Sequence, residues 1–126
     1  MEMQNQIKEY VAQYEKEVRK LADQLRNESM PQPTEELFSE FETNGNRIRY
    51  EAVYFGRRKF LSVLGLASVI WHEKEDIQKL EEVIREICAE ECWALPAHVR
   101  RKENPNWRGV IDLFASETGQ TLAHIT

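Results

Sequence analysis

Few residues in this chain have the type and spacing that chemistry demands. Cys88 and Cys92 are four apart and share a face if one helix carries both. A zinc site needs two further ligands at matching spacing, and none lies near them, so the default is a pair of buried apolar thiols. His72, His98 and His124 are scattered and match no ligand pattern. There is no glycine-rich phosphate loop and no nucleophile elbow, and no carboxylate pair stands apart from the 22 acids. No cofactor and no metal are expected. What remains is a charge pattern. The net charge is −5, against the basic excess of a nucleic-acid binder, so no nucleic-acid partner is expected. Yet two segments are locally basic: residues 47–60, with Arg57, Arg58 and Lys59, and residues 93–110, with Arg100, Arg101, Lys102 and Arg108. Converging, they would present cations to an anionic ligand; apart, they are solvated faces.

Three stretches go further. Glu91-Cys92-Trp93-Ala94-Leu95-Pro96-Ala97-His98 is followed by Ile111-Asp112-Leu113-Phe114-Ala115-Ser116-Glu117-Thr118-Gly119. Upstream lies Tyr50-Glu51-x-x-Tyr54-Phe55-x-Arg57-Arg58. Together they resemble the heparinase II/III-like polysaccharide lyases, whose α/α-toroid domain carries a Trp-x-Leu-Pro-Ala-His loop before an Ile-Asp-Leu-Phe-Ala-x-Glu-Thr helix. The resemblance spans roughly residues 34–126. It implies a ring of helical hairpins and β-elimination on uronic-acid polysaccharide. That reaction needs a group to neutralise the uronate, a base for the C5 proton and an acid for the leaving oxygen. The family supplies most of these further along its toroid, so this chain is expected to be inactive alone. The resemblance points to Trp93, His98, Arg100, Arg101 and Trp107 as residues that meet an acidic polysaccharide or oligosaccharide, with His98 as the candidate catalyst. Asp112 reads as a first-turn acid or loop anchor. Arg57 and Arg58 read as packing or ion-pairing residues that could hold the 93–109 loop.

The elements that must position these residues are helical. With 126 residues and 41% hydrophobic content, one domain can bury a core without disulfides. Five Gly and four Pro are too few for a turn-rich sandwich or barrel. Ile7, Val11, Tyr14, Val18, Leu21 and Leu25 step by four and three, which predicts a long helix over roughly 3–28 with a narrow heptad seam. Met30-Pro31-Gln32-Pro33 breaks it, separating an N-terminal helix (1–30) from the first hairpins of a toroid-like domain (31–126). Thr34 is set to cap the next helix. Further helices are expected over about 47–68, 73–92 and from about 110, with a loop at 93–109. The expected class is all-α, in antiparallel helical hairpins. The apolar stretch from Phe60 to Trp71 is too short to span a membrane and no secretory h-region opens the chain, so the reading is cytoplasmic with no membrane partner. The competing function class is a non-enzymatic helical interaction module, a homo-oligomer through the 7–25 seam.

Overall fold

The computed structural model describes all 126 residues, and its elements are all helical. α1 spans Glu2–Arg26, α2 Glu35–Asn44, α3 Ile48–Trp71, α4 Lys74–Cys88, α5 Pro96–Val99 and α6 Leu113–Ile125. A 3-10 turn, Trp107–Gly109, lies between the last two. No helix is long and apolar enough to cross a membrane.

Local chemistry sets several boundaries. The Thr34 hydroxyl accepts from the Leu37 amide and caps α2, satisfying a donor that the first turn cannot bond. Gly45, at φ 77°, closes the same helix in the left-handed region that side chains resist. Leu95 is extended before Pro96, and Pro96 opens α5 at the position where a missing N–H costs nothing. The expected loop over 93–109 therefore holds two helical turns.

α3 is the central element. It buries Phe60, Leu61, Val63, Leu64 and Ala67 against Leu80, Val83 and Ile87 of α4 and against Val18, Ala22 and Leu25 of α1. Each full burial of a Leu, Ile or Val removes apolar surface worth about 1.5–3 kcal/mol. Glu90, just past α4, returns to Arg57, so α4 runs antiparallel to α3. Arg19 reaches Glu73 whereas Arg57 donates to the Pro31 carbonyl, so α1 too runs antiparallel to α3. A second core joins Phe38, Tyr50 and Tyr54 to Cys92, Leu95, Val99 and Trp107. It ties α2 and the start of α3 to the segment after α4.

The seam of α1 is only half used. Val18 and Leu25 are buried, while Ile7, Val11 and Tyr14 are 50–55% exposed and every residue before Val18 is exposed. The expected helix through Cys92 instead ends at Cys88. Cys88 is exposed and Cys92 buried, so the two thiols share neither a helix nor an environment.

Candidate functional site

Two of the three stretches that resemble lyase motifs meet at Asp112. Its Oδ1 accepts from the Ala115 amide at 2.7 Å, which caps α6. Its Oδ2 accepts from the Leu95 amide at 3.0 Å and faces His98 Nδ1 at 2.7 Å. A carboxylate only accepts, so His98 carries a proton on Nδ1 and leaves Nε2 as the free end of the ring. The imidazole lies parallel to the Phe114 ring, with centroids 6.2 Å apart. Burial works against the Asp112 charge, but the hydrogen bonds from His98, Leu95 and Ala115 outweigh it and hold its carboxyl below the ordinary range.

α3 closes the lock from the other side. The Tyr54 hydroxyl donates to the Trp93 carbonyl at 2.7 Å. Burial, against the pull of Thr118 and Arg58, pushes the Tyr54 phenol upward, so it stays a donor. Arg58 lies over the Tyr54 ring, 3.9 Å from its centroid, and its Nε donates to the Thr118 hydroxyl at 3.0 Å. The rest of the Arg58 guanidinium grips both oxygens of Glu90 at 2.8 Å, and Arg57 Nε adds a third bond to Glu90 at 2.9 Å. Arg57 and Arg58 thus fix the chain just before Trp93, and Tyr54 fixes Trp93 itself.

The five residues singled out from the sequence do not line one cavity. The Trp93 indole N–H donates to the Ile87 carbonyl, and its ring packs on the α1–α3–α4 core. Trp107 is buried on Phe38 in the second core. Arg101 lies over Phe38 and pairs with Glu35 and Glu42. Its charge is spent within the fold. Arg100, in the left-handed conformation that ends α5, is exposed, and so are His98 and Lys102. The accessible part of the site is therefore His98 Nε2, Arg100, Lys102 and the rim of Phe114. Beside it, Phe55, Phe114, Glu117 and Thr121 surround a hollow of about 60 Å³, large enough for a water or two.

No family model matches this chain, and no curated protein matches it either.

Glu90 is the functional residue that sequence reasoning missed. It stood among eight acids over residues 72–92. The signal for it was two adjacent arginines just before the long apolar run of a helix, which cannot be buried without a carboxylate between them.

Asp112 also yields a prediction. Asp112→Ala removes a helix cap and two charge-assisted bonds, for an expected loss of about 2–4 kcal/mol. Asp112→Asn keeps one oxygen and should lose about half as much. Because the folded carboxyl titrates lower than the unfolded one, its contribution is complete above about pH 4 and falls away as the pH drops through the folded value. Denaturant melts of wild type and Asp112→Asn should therefore converge in acid and separate toward neutral pH. Curves equally spaced at every pH would remove Asp112 from this role.

Proposed function

We propose that this chain is the opening helical segment of a heparinase II/III-like lyase for acidic, uronate-bearing polysaccharide, and that alone it binds such a chain without cleaving it. The supporting observation is the lock at Asp112. Residues of the Trp93–His98 loop and of the Ile111–Gly119 helix, which carry the resemblance, are bonded through one carboxylate, and Tyr54 and Arg58 of the third stretch bond to the same two segments. Such a unit presents one imidazole nitrogen, backed by a carboxylate, with two exposed cations, Arg100 and Lys102, close by in sequence. That suits contact with an anionic sugar and one proton transfer. Elimination also needs a uronate neutraliser and a second proton-transfer group held against the same sugar. Arg57, Arg58 and Arg101 are already paired within the fold. Exposed Leu66, Val69, Ile111 and Leu113 are apolar surface that further toroid helices would cover.

The test is the absorbance of unsaturated product on heparin-like, alginate-like and pectin-like substrates. The expected result is none above background. Clear product would show the catalytic set to be complete, and its loss in His98→Ala would make that histidine the catalyst.

A second reading rests on α1. With Ile7 and Tyr14 at d positions and Val11 at a, Lys8 and Glu15 both fall at e, and e positions face each other in an antiparallel pair. Two copies would bury the exposed half of the seam and set each Lys8 against the other's Glu15. Sedimentation decides it: a dimer that Val11→Asp dissociates favours an interaction module, and a monomer at high concentration removes it.

A further inference from the structure

A second cavity lies away from His98. It is a groove of about 450 Å³ between the start of α2, the start of α3 and the chain after α4, within the roughly 300–1,000 Å³ of small-molecule sites. Phe38, Tyr50 and Trp107 form an aromatic floor, with Phe38 edge-on to Tyr50 at 5.3 Å. Tyr50 is 5% exposed, yet its hydroxyl has no hydrogen-bond partner in the fold, although it lines the groove. The hydroxyl is not sealed from solvent, so it is open to a partner from the groove. Burial first, and then the charge of Glu90, push the phenol upward, so it stays protonated and offers a donor.

The lining groups include more acids than bases, although Glu35 is paired with Arg101 and Glu90 with Arg57 and Arg58. Glu35, Glu86, Glu90 and Glu91 line the groove against a single cation, Arg57. Arg57 is held by Glu90 and by the Pro31 carbonyl, and its contact to Glu86 is a long 3.9 Å. Glu91 touches only exposed Arg108, at 3.4 Å. Glu86 and Glu91 are therefore rim carboxylates with oxygens to spare. At this rim a uronate would meet repulsion, whereas a cation would meet two carboxylates.

We infer that this groove binds a small hydroxylated cation of the amino-sugar or amino-alcohol class, its ammonium at the Glu86–Glu91 rim and a hydroxyl on Tyr50. The site is independent of the His98 surface and takes ligands of opposite charge. Protonated glucosamine is the probe, with glucose and glucuronate as neutral and anionic arms, followed by amide chemical shifts and the Trp107 indole signal. Glucosamine should move the Tyr50, Trp107 and Glu90 signals with roughly millimolar affinity, glucose less, and glucuronate not at all. Tyr50→Phe, which removes one oxygen, should weaken glucosamine about three- to tenfold, as one lost hydrogen bond does. Glu86→Gln, at an exposed position, should erase the preference for glucosamine over glucose. Binding of a heparin fragment at Arg100, measured on the same Tyr50→Phe sample, should be unaltered, which separates this site from the lyase reading. Absent shifts in the groove, equal binding of all three sugars, or no effect of either variant would overturn the inference.

Discussion

Glu90→Gln should cost about 3–5 kcal/mol, the penalty for breaking a buried ion pair from one side. Glu90 accepts three guanidinium bonds at 2.8–2.9 Å. Arg57 is 2% exposed, and its remaining bond goes to the Pro31 carbonyl. An amide offers one acceptor oxygen and no charge, so one guanidinium stays desolvated and unpaired. Against a total stability of about 5–15 kcal/mol, that is a large share, equivalent to a fall in Tm on the order of 10–20 °C. Removing all three charges should be gentler than removing one: with Arg57→Met and Arg58→Met added to Glu90→Leu, most of the loss should return. Chemical denaturation of the single and triple variants measures both. A single-variant loss under 1 kcal/mol would mean that water reaches these arginines.

Arg26→Met should cost a similar amount for the opposite sign of charge. Asp76, in the first turn of α4, is 0% exposed, and its Oδ1 accepts from Arg26 Nε at 2.7 Å. Its other oxygen has no partner. The bond from Asp76, ahead of the opposing effect of burial, raises the Arg26 guanidinium even further above its ordinary value, so Arg26 stays charged. Without Arg26 the carboxylate is buried alone, at about 3–5 kcal/mol. The double variant Arg26→Met with Asp76→Leu should recover most of this, because the unpaired oxygen already makes the native pair imperfect. A double variant no better than Arg26→Met would assign the loss to packing of the Arg26 stem instead.

The helices were legible because their apolar periods are long and their punctuation is strong. Thr34, Gly45 and Pro96 sit where capping chemistry puts them. The role of Asp112 as a loop anchor was legible too, since an acid ahead of an apolar helix has few other uses. The end of α4 was not. Its apolar stripe runs on through Cys88 and Cys92, whereas the chain leaves the helix after Cys88, Glu90 pairing with Arg57 and Arg58 and Cys92 entering the second core. Periodicity carries no information about partners in another element. For the same reason the seam of α1 could not reveal which half meets the body. Trp107 and Arg101 looked available because loop residues usually are; here the loop folds back, and each is consumed by the second core. The Tyr50 groove had no sequence signature, because its walls come from four separate stretches.

The proposed function places an acidic polysaccharide on the surface around His98 and Arg100. Titration with a heparin-derived oligosaccharide, followed by the His98 ring signals and the Arg100 amide, tests it most directly. Saturable shifts are expected at His98, Arg100 and Phe114, weakening steeply with added salt, as exposed charge contacts do, with no such shifts from a neutral oligosaccharide of equal length. Shifts of the same size with the neutral sugar, or none with the acidic one at low salt, would contradict it.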